Sequence, residues 1–253
     1  ARRTGTTTEV LEPIAQVVVS PYGGNSFKMP NEDSQDFDFN DTNLFSANRF
    51  TGYDRVESGP RANYGVKWGV YGDGGGSTSV LFGQSYRLKR DDTFAEGSGM
   101  AKNLSDYVAR VKVSPGDHLN LLYRTRLDQR TLDFNRNELG ISGNSGVFSY
   151  NADYVFFSRQ QGSEFDGRKE ISYNFGAKMS EFWRTNFSGV RDLSDDGGQR
   201  SMRLGFVYED ECFQFDTALS RTFYQDREIK PTDAIMFRLV FKTLGEVATD
   251  VSP

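Results

Sequence analysis

The sequence predicts an all-β protein, an antiparallel transmembrane β-barrel of the outer-membrane kind. Three observations predict it. Apolar and polar residues alternate at period two along most of the chain. The alternating runs are on the order of ten residues long, enough to cross a bilayer when tilted, whereas soluble strands average about five or six. Short turns also alternate with long polar links, as periplasmic turns and extracellular loops do in such barrels. A soluble sandwich, the competing architecture, gives no reason to place long loops at one end.

Taken in order, the runs give about twelve strands: 9–20, 60–71, 77–88, 105–113, 118–128, 131–141, 147–159, 168–178, 182–192, 199–209, 212–224 and 233–243. In HLNLLYRTRLD, Leu119, Leu121, Tyr123, Thr125 and Leu127 share one face, opposite Asn120, Arg124, Arg126 and Asp128. In EISYNFGAK, Ile171, Tyr173, Phe175 and Ala177 oppose Glu170, Ser172, Asn174 and Lys178. Met202, Leu204, Phe206 and Tyr208 line up in the next clear run, and Ile235, Phe237, Leu239 and Phe241 oppose Arg238 and Lys242 in the last. Only 131–141 breaks pattern. There Leu132 and Phe134 begin a face that Arg136 and Glu138 continue, which predicts a bulge or phase slip.

The short connections are 73–77, 114–117, 142–146, 178–181 and 210–211, with 129–130 the one short member of the other set. The long ones are 21–59, 89–104, 160–167, 193–198 and 225–232. Segment 21–59 is predicted to be an extracellular loop folding over or into the barrel mouth, because it is acidic yet carries Leu44, Phe45, Phe50 and Tyr53. Cys212, the single cysteine, is placed beside the turn at 210–211, at the periplasmic rim on the lumen parity. Arg61, Lys67, Arg87, Arg110, Lys112, Arg124, Arg126, Arg203 and Arg238 fall on the inward parity. A hydrated lumen would solvate them at little cost; a passage for anionic, sugar-rich cargo is the functional alternative.

Composition narrows the function classes. A net charge of −5 argues against a nucleic-acid binder. The 26 glycines against 7 prolines suit strands and tight turns. The opening ARRTGTTTEV has no charged region leading into an apolar stretch, so a mature product or a fragment is expected. His118 follows a turn and has no partner in the sequence pattern for nucleophilic or metal chemistry. YGDGGGST lacks the lysine spacing of a phosphate loop. DFDFND starts like a calcium loop at Asp36, Asp38 and Asn40. Asp41 then stands where glycine is required, and Ala47 where a bidentate glutamate belongs. No catalytic residues, metal site or cofactor are expected.

Two stretches resemble the LptD (OstA) family of lipopolysaccharide-assembly outer-membrane proteins. One is LEPIAQVVVSP with NEDSQDFDFNDTNLFSANRFTGYDRVESGPRANYGVKW (11–21 and 31–68); the other is CFQFDTALSRTFYQDREIKPTDAIMFRLVFKTLG (212–245). The resemblance implies that the chain is the C-terminal section of a barrel of roughly twenty-six strands. A periplasmic jellyroll domain would precede it. It further implies non-enzymatic transport of lipopolysaccharide to the outer leaflet, through a lateral gate whose one side is 233–243, with Ile235, Phe237, Leu239 and Phe241 on it. The implied partners are lipopolysaccharide, an LptE-like plug lipoprotein, an LptA-like periplasmic bridge reached through the jellyroll, and outer-membrane lipid. Cys212 would then be disulfide-linked to a segment outside this chain, although it stands alone where the family is described with an adjacent pair. A self-contained porin of about twelve strands is the alternative reading.

Overall fold

The computed structural model describes residues 1–25, 32–33, 38–50, 52–158, 167–223, 230–242 and 245–251. Its strands are β1 (Arg2–Thr4), β2 (Thr7–Val18), β3 (Arg61–Gly72), β4 (Ser77–Arg87) and β5 (Tyr107–Gly116). Then come β6 (Leu119–Leu127), β7 (Phe134–Asn144), β8 (Phe148–Phe157), β9 (Arg168–Lys178) and β10 (Trp183–Asp192). β11 (Gln199–Glu209), β12 (Phe213–Thr222), β13 (Thr232–Phe241) and β14 (Gly245–Val251) complete the series. All fourteen are hydrogen-bonded in sequence order in one sheet, as a meander of hairpins requires.

The chain divides into two compact units, one of residues 1–116, 121–139 and 156–168, the other of 117–120, 140–155 and 169–253. In the first, β2, β3, β4 and β5 pair antiparallel with β1 at the edge. Parity gives this sheet an apolar face with Leu11, Val17, Tyr64, Val66, Phe82 and Tyr86, all exposed. The other face carries Arg61, Asn63, Ser85, Arg87 and Val108, all buried beneath residues 38–50, 52–58 and 91–106. In the second unit β9 to β14 form a continuous ladder with one register shift, between Val190 and Arg191. Its apolar face exposes Phe175, Leu219, Ile235, Phe237 and Phe241. At the turn end of that face Phe182, Trp183, Tyr208 and Phe213 form a chain of ring contacts, with centroids 5.2 to 6.1 Å apart. Such a band is the aromatic girdle of a membrane interface.

Several expectations change. β1 and β14 were not anticipated: three and seven residues long, they are too short to show a run of alternation. Residues 233–243 therefore do not form the last strand, because β14 pairs with β13. The strand expected at 131–141 begins at Phe134 instead. The irregularity lies before it, in a turn where Asp128 Oδ1 accepts the amides of Arg130 and Thr131 and Leu132 adopts φ 62°. β5 runs on through Pro115 and Gly116, which moves the expected 114–117 turn toward Asp117. Cys212 sits in the turn before β12 and is exposed. Its amide donates to Asp210 Oδ1 at 2.8 Å, and its carbonyl accepts the amide of Lys242. Asp36, parts of the 21–59 loop (26–31, 34–37 and 51) and the links 159–166 and 224–229 lie outside the described residues.

Candidate functional site

A cross-strand pair of glycines provides the floor of the site. Gly65 and Gly83 face each other across β3 and β4, so no side chain covers the backbone on the charged face. Leu44 and Phe45 settle there. A β-carbon on Gly83 would stand 2.4 Å from Leu44 Cδ2, and one on Gly65 would stand 3.4 Å from Phe45 Cζ. Phe39, Leu44, Phe50, Phe94, Met100 and Val108 close into one apolar cluster above this floor, with Phe45 against its side. Phe50 stacks on Phe94 with centroids 4.6 Å apart. The described loop residues 38–50 and 52–58 are thus a miniature core laid on the sheet. Burial of such side chains stabilises by roughly 1.5–3 kcal/mol each.

Two ionic clusters clamp it. In the first, Glu57 Oε1 takes Arg49 Nη1 at 2.7 Å, Arg87 Nη2 at 2.5 Å and Arg61 Nε at 3.3 Å, with all four side chains buried. Arg49 also donates to the carbonyls of Asn43 and Leu44, to Asn63 Oδ1 at 2.5 Å and to Ser85 Oγ at 3.2 Å. One guanidinium thereby ties the loop to itself and to two strands. Burial pushes Arg49 down to about 10 against the pull of Glu57, so it remains a cation at neutral pH. Arg87 lies under Phe94, 4.1 Å from the ring centroid. Just beyond, Asp91 accepts from Ser58 Oγ and from the Thr93 amide. Burial pushes its pKa upward, but the Thr93 and Ser58 hydrogen bonds outweigh it and hold the carboxyl below its ordinary range.

The second cluster alternates sign. Asp41 meets Arg110 at 3.2 Å and Arg124 at 3.3 Å; Arg124 meets Glu138 at 3.4 Å. Asp38 pairs with Arg126 and Arg136, and Arg126 Nε reaches Asp106 at 3.4 Å. Arg126 further donates to the carbonyls of Phe39, Ser98 and Gly97, so one strand side chain holds both loops. Gly99, at φ 83°, leaves room for it: a β-carbon there would stand 2.9 Å from Arg126 Cδ. Burial raises the carboxyls of Asp41 and Asp106 despite the neighbouring arginines.

The structure therefore brings Arg110, Arg124 and Arg126 together, and pairs them with loop acids instead of solvating them in a hydrated lumen. Arg61 and Arg87 are likewise buried. Arg203 and Arg238 belong to the other unit. Arg238 lies 3.9 Å from Asp216, and Arg203 Nη1 3.8 Å from Met236 Sδ. Ile235, Phe237, Leu239 and Phe241 line the apolar face of β13, opposite Leu219, Thr217, Phe215 and Phe213. Sequence reasoning missed the clamp formed by Arg49, Glu57, Asn63 and Ser85. The sign of it was present: arginines share a parity with facing glycines, so something had to cover them. Asp38, weighed as a calcium ligand, pairs with Arg126 and Arg136, and Asp41, which stands where a calcium loop needs glycine, pairs with Arg110 and Arg124. His118 packs its Nδ1 against the Asn144 carbonyl at 2.9 Å, in a turn.

Ten-residue antiparallel strands, one exposed apolar face with an aromatic girdle, and a loop folded on the charged face define a segment of an outer-membrane β-barrel. A family profile described as LPS transport system D, LptD, matches residues 1–183. The chain belongs to the LptD family. It is 24% identical over 201 residues to the LPS-assembly protein LptD of Polaromonas sp. strain JS666, covering 78% of this chain and 24% of that protein. It is 25% identical over 259 residues to LPS-assembly protein LptD of Acinetobacter baumannii, covering 96% of this chain and 30% of that protein. The chain thus spans less than a third of those relatives. Among solved structures, two mutants of the Rhodopseudomonas blastica porin align over 76% and 79% of this chain and 89% and 92% of theirs. Their TM-scores are 0.36 and 0.37 at 10% and 9% identity, a likeness too loose to bear on function.

Proposed function

We propose that this chain is the C-terminal section of an LptD barrel and serves non-enzymatic delivery of lipopolysaccharide to the outer leaflet. The family match over residues 1–183 carries this reading. The clamped segment 38–58 supports a refinement: it covers the charged face so that solutes do not leak while cargo leaves sideways. The long-link end, where it lies, faces outward by the rule that short turns are periplasmic. The lateral gate is assigned to the closing hairpin β13–β14, with Ile235, Phe237, Leu239 and Phe241 on its lipid side; β14 is the strand beyond it. An LptE-like plug lipoprotein, an LptA-like bridge acting through an N-terminal jellyroll, and a disulfide from Cys212 to that domain complete the proposal.

The test uses the full-length protein in cells depleted of their own copy. The intact gene should restore surface lipopolysaccharide. Deleting 31–57 should leave export running but raise sensitivity to large antibiotics. A covalent tether from the β13–β14 hairpin to the barrel's first strand should stop export without unfolding the barrel. Failure of the intact gene to restore surface lipopolysaccharide would reject the reading; export that survives a confirmed tether would reject only the gate.

A further inference from the structure

The apolar face of β10–β13 is not uniformly smooth. Near its long-link end lies a groove of about 610 Å³, walled by Phe187, Met202, Leu204, Leu219 and Ile235. Its upper lip is ionic. Arg221 and Asp233 face each other directly across β12 and β13, on the same parity as Leu219 and Ile235. Both point to the lipid side. Arg221 Nε lies 3.4 Å from Asp233 Oδ1, and its guanidinium stands 5.2 Å from the Phe223 ring centroid. The two contacts fix the fork while its Nη groups have no partner among the described residues. Across β11, Arg191 shares the outward parity of Phe187, is exposed, and has no ion-pair partner among the described residues.

Height decides what such a lip can meet. From Phe213, in the girdle, to Arg221 is roughly 27 Å along the strand, or about 21 Å along the membrane normal at a tilt near 40°. That places Arg221 at the outer interface, where an apolar band about 25 Å tall ends. A cation inside the band would cost about 2–4 kcal/mol; at the interface it costs about 0–1. The same position is level with lipid headgroups. An arginine beside one carboxylate and one ring, whose terminal nitrogens have no partner among the described residues, matches the oxygens of a phosphate. The groove directly beneath is walled by apolar side chains, as a hydrocarbon chain requires.

We propose that Arg221 and the groove below it, with Arg191 two strands away, form a binding site on the barrel's outer wall for a phosphate-bearing lipid of the outer leaflet, with a phosphate on the Arg221 guanidinium and an acyl chain between Leu204, Leu219 and Ile235. The site rests on the outer-membrane reading and shares Ile235 with the proposed gate strand, but its tested residues, Arg191, Leu219 and Arg221, lie on β10 and β12. The occupant is a lipid, since a free anion would leave the groove unfilled.

The experiment is native mass spectrometry of the full-length protein in detergent, offered diphosphorylated lipid A against the same lipid with its phosphates removed. The wild type should retain lipid A with about a tenfold preference, the size of one or two charge-assisted hydrogen bonds. Arg221→Gln with Arg191→Gln should abolish the preference while heat-modifiable mobility shows an intact barrel. Leu219→Trp, which fills the groove without touching charge, should lower lipid A retention too. Inorganic phosphate at equal concentration should not compete. An unchanged preference in the double variant, or effective competition by inorganic phosphate, overturns the proposal. Export by the same variants separates the outcomes: it should stay normal, and its failure in the wild type would count against the proposed function alone.

Discussion

Leu44 occupies the space that a side chain on Gly83 would need, its Cδ2 standing 2.4 Å from the position of a β-carbon there. The contact cannot relax on the other side, where the same β-carbon would stand 2.7 Å from the Tyr64 carbonyl oxygen. Gly83→Val should therefore lift Leu44 off the sheet and cost about 1–3 kcal/mol, the usual range for overpacking. Hydrogen exchange should show protection falling over 38–50, while β9–β13 keep theirs. Unchanged protection over 38–50 would mean that the glycine floor does not hold the loop.

Glu57 meets Arg49, Arg61 and Arg87 through one oxygen. Glu57→Gln removes the charge and leaves three buried guanidinium groups around a neutral amide. Breaking one side of a buried pair costs about 3–5 kcal/mol, so this variant should assemble poorly and expose 38–58 to protease. Arg49→Lys should be nearly as damaging, because a point charge cannot hold Asn43, Leu44, Asn63 and Ser85 at once. Protease resistance in both variants would dismiss the clamp.

Acid should act on the two ends of the clamp with opposite sign. Asp91 is held below its ordinary pKa, so its contribution is present above the unfolded value near 3.8 and is lost as pH falls through the folded one. Asp41 is raised, so its protonation on acidification favours the folded state and its ionisation on the way back up opposes it. Below about pH 4, amides near Ser58 and Thr93 should lose exchange protection before those of 38–45. Simultaneous loss would contradict the assignment.

Phe206 and Leu239 lie on the lipid parity. Phe206→Arg or Leu239→Arg should block folding into lipid at a cost of about 2–4 kcal/mol near the midplane, whereas Arg203→Ala or Arg238→Ala should be mild. Heat-modifiable mobility on refolding reads the difference. Equal tolerance on both faces would remove the barrel assignment.

Cys212 is exposed in a turn, so in this isolated chain it should alkylate fully without reductant. In the full-length protein the proposed disulfide should block that reaction and give a reduction-dependent mobility shift, lost in Cys212→Ser. A shift present in both proteins would discard the disulfide.

How much of this was legible depends on range. Period-two alternation located the long strands to within a few residues, because a bilayer-spanning wall repeats one simple pattern. It could not reveal β14, where seven residues pair with β13. The clamp was less legible still. Asp41 and Arg110 are 69 residues apart, and Asp38 and Arg126 are 88, so no local window contains both partners. Parity said that these arginines face inward. It could not say that the acids of the 21–59 loop would come to meet them.

The clamp also gauges the order of assembly. Asn63 and Ser85 pair directly across β3 and β4, as do Arg61 and Arg87. A one-residue slip would send Ser85 and Arg87 to the lipid side, and a slip of two would move both past Glu57. Residues 38–58 can lock down only on a correctly registered hairpin. Because their contacts span such long stretches of chain, closure must come late and slowly. The seated loop is therefore a receipt for correct strand pairing, and a misregistered wall would be left with its loop unlatched, open to whatever protease patrols the membrane.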